Sequence, residues 1–251
     1  ALTATPSFGL YLAEALQERG LQSSLRLGAF GGEAGTENPA TRCRLEEALG
    51  IRAYDYYGLA EMGPTFAAEC EMQAGLHFAE DHYLVEVLDP VTQAPLPPGE
   101  VGILVITHLT REATPLIRYW TNDYARLAPE PCPCGRTHAR LPGGILGRAD
   151  DLVIYRGAKF YPAQVEAVVR AFPELGDEFR IELHTDEREG TDRVTVVVEG
   201  PTADPGLLER VRRALREGLG VTPEVRVVDA GTLERTVFKA RRLVDRRRPP
   251  G

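Results

Sequence analysis

The sequence predicts an α/β fold: the remainder of a doubly wound sheet domain with a small β-barrel-like subdomain, followed by a small α+β carboxyl-terminal domain. Three observations predict it. Helix and strand patterns alternate over the first 57 residues. Strand-like runs joined by turn-rich pieces then take over to about Leu146, and from Asp150 a hairpin, two helices and three strands follow in a third style. Strands alternating with helices mark a parallel sheet, and antiparallel runs mark sheets or barrels. The boundaries expected are 1–148 for the large part (1–74 α/β, 75–148 β) and 149–251 for the small one.

The elements follow in order. PSFGLYLAEALQERG reads as a helix because Leu10, Ala13, Leu16 and Gln17 recur at helical spacing and Gly20 closes it. SLRLGAF is a short strand running into the turn GGEAG. The helix NPATRCRLEEALG has Asn38 as N-cap, Pro39 at its first position and Gly50 as its stop. IRAYDYY is the next strand. The chain enters the sheet at a helix, with no earlier strand expected. HYLVEVLDP, EVGILVITHL and DYARLAP are β-like runs, linked by pieces such as DPVTQAPLPPGE. DDLVIYRGAKFYP reads as a hairpin turned at Arg156-Gly157, and PAQVEAVVRAF as a helix with Val165, Val168 and Val169 inward. FRIELHTD and RVTVVVEG are strands around EREGT. DPGLLERVRRALREGLG is an amphipathic helix, EVRVVDAG a last strand, and the basic tail RRLVDRRRPP a solvated end.

Composition narrows the function. The 251 residues are 43% hydrophobic and 26% charged, ordinary globular values. A net charge of -8 argues against broad nucleic-acid binding, which needs basic surface. No apolar run approaches a membrane span and the start lacks a secretory pattern, so a cytoplasmic protein without membrane partners is expected. Lys159 and Lys239 are the only lysines, which leaves two candidates for any lysine chemistry.

The four cysteines carry a separate signal. Cys70 and His77 are spaced Cys-x6-His, and Cys132 and Cys134 form Cys-x-Cys. Thiolates with one imidazole make a closed tetrahedral site, structural in character, for Zn²⁺. Buried free thiols are the alternative, and His138 is a rival fourth ligand. Cys43, within a helix, is expected to be buried.

Four segments, YYGLAE at 56–61, IRYWTND at 117–123, GRADDLVIYRG at 147–157 and ERTVFKARR at 234–242, occur in order. With the linking text GLHFAEDHYLVEVLDP, PPGEVGILVITHLTREATPLIRY and CPCGRTHARLPGGILGR, they resemble the phenylacetate–coenzyme A ligase family of the adenylate-forming superfamily, its coenzyme F390 synthetase-like branch included. The resemblance covers essentially the whole chain and is to the family's carboxyl-terminal portion. It implies ATP-dependent acid–coenzyme A ligation: carboxylate and ATP give acyl-AMP, which then yields acyl-coenzyme A, with an aryl acid such as phenylacetate as first substrate. ATP, Mg²⁺ and coenzyme A are the implied cofactors and small partners.

The resemblance also assigns roles. Lys239 would be catalytic, balancing negative charge between the carboxylate and the α-phosphate; Glu61 would hold magnesium against the phosphates. Tyr57 would face adenine, with Glu33 and Asp55 on the same side. Asp123 would accept from the ribose hydroxyls, because a carboxylate presents two acceptor oxygens, and Arg148 would contact ribose or phosphate. Asp150 would be the hinge between domains, and Gly157 the coenzyme A side.

The chain departs from the family in places. Ala60 stands where Ser or Thr is usual, Phe238 where Gly precedes the lysine, and Trp120 and Asn122 where arginines are frequent. The family's Ser/Thr/Gly-rich phosphate loop is absent from these 251 residues. The chain is therefore expected to be incomplete alone, completed by a missing amino-terminal half or by a second copy. The alternative is a non-catalytic, zinc-stabilised module that binds nucleotide or acyl-adenylate.

Overall fold

A computed structural model describes residues 1–186, 191–201, 204–235 and 242–247. The chain divides into two compact units, Ala1–Asp150 and Asp151–Gly251.

The first unit opens with a strand that periodicity had not announced. β1 (Leu2–Ala4) pairs in parallel with β2 (Leu27–Phe30), after α1 (Pro6–Glu18). Three residues are too few to show an alternating pattern, so the expectation of a chain entering at a helix is corrected. Thr5 caps α1, accepting from the Phe8 N–H, and Pro6 occupies its first turn. Leu10 and Ala13 are buried, whereas Gln17 points to solvent and does not belong to the buried stripe. α2 (Pro39–Leu49) begins at Asn38 and ends at Gly50 in the left-handed conformation, as its sequence predicts. Leu10, Phe30, Leu45, Leu49 and Ile51 form the core between these helices and the sheet.

β3 (Arg52–Leu59) pairs with β2 in parallel through its first half and with β4 (Gly63–Glu69) in antiparallel fashion through its second. β5 (Leu76–Phe78) follows, then β6 (Tyr83–Leu88), β7 (Gly102–His108), β8 (Tyr119–Ala125), β9 (Arg140–Leu141) and β10 (Gly147–Arg148). The strand order is β1-β2-β3-β4-β5-β9 in one sheet and β10-β8-β7-β6 in the other. β5 and β9 thus extend the large sheet, and the antiparallel run expected between 75 and 148 is shared by two sheets. Phe66, Phe78, Leu104, Ile106 and Leu141 fill the core between them.

In the second unit β11 (Val153–Tyr155) and β12 (Ala158–Phe160) form the hairpin turned at Arg156-Gly157. Both turn residues have positive φ, 50° and 82°, the type I′ requirement for a two-residue loop. α3 (Pro162–Arg170), β13 (Phe179–Thr185), β14 (Asp192–Glu199), α4 (Pro205–Leu219), β15 (Glu224–Val228) and β16 (Leu243–Arg246) complete it. The sheet order is β15-β14-β13-β16. Val165 and Val169 of α3 and Leu207, Val211 and Leu215 of α4 are buried against it, with Val168 partly so. β16 corrects the reading of the basic tail as a solvated end: Leu243–Arg246 pairs in parallel with β13. Among the described residues no helix is long and apolar enough to cross a membrane.

Candidate functional site

Three of the predicted nucleotide residues meet in the first unit. β10 runs antiparallel to β8 with Arg148 opposite Asp123, so the sheet register itself puts the guanidinium beside the carboxylate. Arg148 Nη1 donates to Asp123 Oδ1 at 3.0 Å, and the Tyr57 hydroxyl donates to Oδ2. Asp123 is 3% exposed. Its N–H donates to Thr121 Oγ1, which in turn donates to the Leu104 carbonyl. The β7–β8 ladder shifts register between Ile103 and Val105, opposite a stretch where Asn122 has φ 62°. Such a bulge re-aims the side chain beside it, and Asn tolerates the left-handed region. Burial, and after it the Asp123 charge, pushes the Tyr57 phenol well above its ordinary range, so it stays a donor. The Tyr57 ring packs edge-on against Phe66, centroids 5.0 Å apart.

Glu61 lies exposed in the turn between β3 and β4. A side chain at Gly58 would come within 2.0 Å of the Pro64 carbonyl, so this crossing needs glycine. The turn is held from outside. His108, buried, accepts the Leu116 N–H at Nδ1 and therefore donates from Nε2 to the Met62 carbonyl, 2.9 Å away. Arg111 donates to the Glu61 carbonyl at 2.8 Å. Sequence reasoning missed both residues; the available sign was a buried-strand end, THLTRE, carrying polar groups.

Asp55 is buried at the point where β3 changes partners. Burial first, then the nearby Glu37 and Glu69, raises its carboxyl well above the usual range. Its N–H donates to Glu69 Oε2 at 2.8 Å, filling the gap where the strand ladder changes sides. Glu69 is gripped by both Arg42 guanidinium nitrogens at 2.8 Å, and Arg42 also reaches the Ala53 carbonyl. The Arg42–Glu69 fork was likewise not read from sequence, because its partners come from α2 and β4. Glu33 braces the backbone: its Oε1 accepts the Ser7 N–H at 2.7 Å, at the start of α1, where a carboxylate suits the helix N-terminus.

The sulfur and imidazole atoms of Cys70, His77, Cys132 and Cys134 all lie within 4.8 Å of one another. Cys70 and Cys132 Sγ are 3.8 Å apart, and Cys134 Sγ is 3.6 Å from His77 Nε2. A tetrahedral zinc with ordinary bond lengths requires about 3.8 Å between sulfurs and about 3.6 Å between sulfur and nitrogen. The donor set and its spacing therefore fit. The Arg136 N–H lowers the Cys134 thiol to about 7, and burial lowers His77, so a thiolate and a neutral imidazole are the favoured ligand forms there. Burial raises Cys70. His138 is not in the cluster. Cys43 is exposed, with Sγ 3.1 Å from Glu47 Oε1, which corrects the expectation of burial.

Asp150, at the last position of the first unit, receives a two-pronged contact from Arg148 Nε and Nη2 at 2.9 and 3.0 Å. Gly157 sits in the β11–β12 turn with open space around its α-carbon. Lys239 lies outside the described residues.

Comparison with known proteins adds the following. Residues 157–247 match the model of the AMP-binding enzyme C-terminal domain. The chain is 41% identical over 274 aligned residues to the phenylacetate–coenzyme A ligase of Thermus thermophilus, covering 98% of this chain and 60% of that protein. It is 37% identical to the phenylacetate–coenzyme A ligase of Escherichia coli over 97% of this chain and 57% of that one. The chain thus spans less than two thirds of the curated relatives it matches. A crystal structure of 2-hydroxyisobutyryl-CoA ligase, in the postadenylation state with an acyl-adenylate, superposes with a TM-score of 0.90 at 34% identity, covering 98% of this chain and 54% of that one.

Proposed function

The chain belongs to the phenylacetate–coenzyme A ligase family of adenylate-forming enzymes, as its carboxyl-terminal portion, and from that premise we propose that it serves ATP-dependent ligation of a carboxylic acid, an aryl acid such as phenylacetate, to coenzyme A. The observation that carries the proposal is the convergence of Tyr57, Asp123 and Arg148 on one buried carboxylate. A carboxylate fixed by a phenol on one oxygen and a guanidinium on the other is oriented in advance, and its two acceptor oxygens match the two hydroxyl donors of a ribose. Arg148 stays 37% exposed at its side chain, within reach of ribose or phosphate oxygens.

In the reaction, a carboxylate oxygen of the acid attacks the α-phosphate and pyrophosphate leaves. The thiol of coenzyme A then attacks the acyl carbon, and AMP departs with the bonding electrons. Tyr57, Asp55 and Glu33 would form the adenine side, with burial raising the Asp55 carboxyl. Glu61 offers one hard carboxylate for Mg²⁺, the usual protein share when phosphates supply other ligands. Lys239 would neutralise charge at the α-phosphate, and Asp150 would be the pivot between the domains 1–148 and 149–251. Cys70, His77, Cys132 and Cys134 would hold Zn²⁺ as a closed structural centre, cross-linking β4, β5 and the loop before β9. An upstream half, or a second copy, would supply the phosphate loop. ATP and coenzyme A supply fit a cytoplasmic setting.

Calorimetric titration with AMP tests the site directly in this chain. AMP should bind, and Asp123→Asn should weaken it about tenfold or more, since charge-assisted bonds to the ribose are lost. Unchanged affinity would remove Asp123 from the assignment. Acid-dependent pyrophosphate release, measured in the complete protein, should fall at least about a hundredfold in Lys239→Ala; release indifferent to that change would remove the lysine.

A further inference from the structure

We propose that Glu178 and Glu199 are positioning residues for Lys239: each fixes, through an arginine, one end of the segment that carries the lysine. This rests on the proposed reading of Lys239 as the group that neutralises charge at the α-phosphate. Neither carboxylate has a role in that reading.

β13 and β14 pair in antiparallel fashion, and their ladder ends with Phe179 opposite Val198. The next residues on the two chains are Glu178 and Glu199, so two carboxylates sit at one end of one strand pair. Both are buried, 7% and 1% exposed. Like charges so placed repel, and a carboxylate withdrawn from water is costly unless it is paired. Each is paired, and the partners come from the two sides of one short segment. Glu199 Oε1 accepts the Leu233 N–H at 2.8 Å, and its Oε2 accepts from Arg235 Nη1 at 2.9 Å. Glu178 Oε2 accepts from Arg242 Nη1.

The far end is held by more than one bond. The Arg242 carbonyl accepts the Ile181 N–H at 2.7 Å, and its guanidinium carbon lies 4.7 Å from the centre of the Phe179 ring. At the near end Leu233 is buried. Residues 236–241 therefore leave from and return to the same end of the β13–β14 pair. Lys239 is four residues from Arg235 and three from Arg242. A chain advances at most about 3.6 Å per residue, so its α-carbon is confined to within about 14 Å of one anchor and about 11 Å of the other. Stability alone does not account for such pairs, since apolar side chains of similar volume often replace a buried ion pair without loss. Glu199 follows a run of valines in β14, where one more valine would pack. A carboxylate there ties the strand end to a distant segment instead. Placement matters to a charged catalytic group, because a shift of about 1 Å can cost about a hundredfold in rate.

Half-reactions of the complete protein separate positioning from general support. Glu199→Gln and Glu178→Gln keep the side-chain volume and remove the charge. Each should lower acid-dependent pyrophosphate release about tenfold. Thioester formation from supplied acyl-adenylate and coenzyme A, a step in which Lys239 has no assigned part, should stay within about twofold of the parent. Tryptic cleavage after Lys239, followed by mass spectrometry, should be at least about fivefold faster in Glu199→Gln, because a released end opens locally more often. If Glu199→Gln does not fold, Arg235→Gln breaks the same bond from its 30% exposed end and is read in the same way. Equal losses in the two half-reactions would make the glutamates general supports and overturn the proposal. Release within about twofold of the parent in both variants, or unchanged cleavage, would also overturn it. Lys239→Ala is the control. If it lowers release and the glutamate variants do not, the proposal falls and the ligase reading stands; if release is indifferent to it, the role of the lysine falls and the proposal with it.

Discussion

Asp55 shows how one buried group couples folding to pH. Its carboxyl is raised by burial and by Glu37 and Glu69. Below the ordinary carboxylate value, about 4, folded and unfolded chains both hold the proton and the site contributes no pH dependence. Between that value and the raised one, only the folded chain holds it, so stability falls as pH rises through the window. Asp55→Asn removes this term. Its melting temperature should exceed the parent's by a few degrees at pH 7 to 8, and the two should converge near pH 4. Parallel melting curves across that range would show that Asp55 carries no such cost. Asparagine keeps a donor and an acceptor, as the neutral acid does, so AMP binding should survive better than in Asp123→Asn.

At the level of elements, the β3–β4 turn carries Glu61 but is secured by the end of β7. His108 satisfies the Met62 carbonyl and the Leu116 N–H at once, and it is 8% exposed. His108→Ala strands the Leu116 N–H and takes one donor from the Met62 carbonyl, which keeps the Tyr83 hydroxyl at 3.1 Å. The expected loss is about 1–3 kcal/mol in urea unfolding, with His108→Gln recovering part of it. A loss under about 0.5 kcal/mol, the size of an ordinary surface change, would mean that water replaces the ring and the turn does not depend on it. Elements with caps and periodicity were legible in advance: α2 from Asn38-Pro39 to Gly50, and the hairpin at Arg156-Gly157. β1, β9 and β10 were not, because two or three residues show no period. β16 was hidden by its charge, since arginines on an edge strand look like those of a solvated tail.

Across the whole molecule the site was legible where one short motif carries the chemistry, and not where support comes from a distance. Asp123 and Arg148 stand out in IRYWTND and GRADD, but the Arg42–Glu69 fork and His108 depend on sheet register that no local pattern encodes. The same limit applies to the cysteines: spacing suggested four ligands, while only the fold brings Cys70 and Cys132 to 3.8 Å. That cluster belongs to the first unit alone, and each unit has its own core. Trp120, the only tryptophan, is also in the first unit, packed on Leu88, Ile103 and Val105. Its fluorescence therefore reports that unit, whereas far-ultraviolet dichroism includes α3 and α4 of the second. Metal analysis should find one zinc per chain. A strong chelator should lower the Trp120 midpoint by about 10 °C, because metal binding contributes directly to folding free energy. The dichroism should then split into two transitions, the later one unmoved. With zinc absent and the Trp120 midpoint insensitive to chelation, the four residues would be buried thiols and an imidazole, and packing alone would hold β4, β5 and the loop before β9.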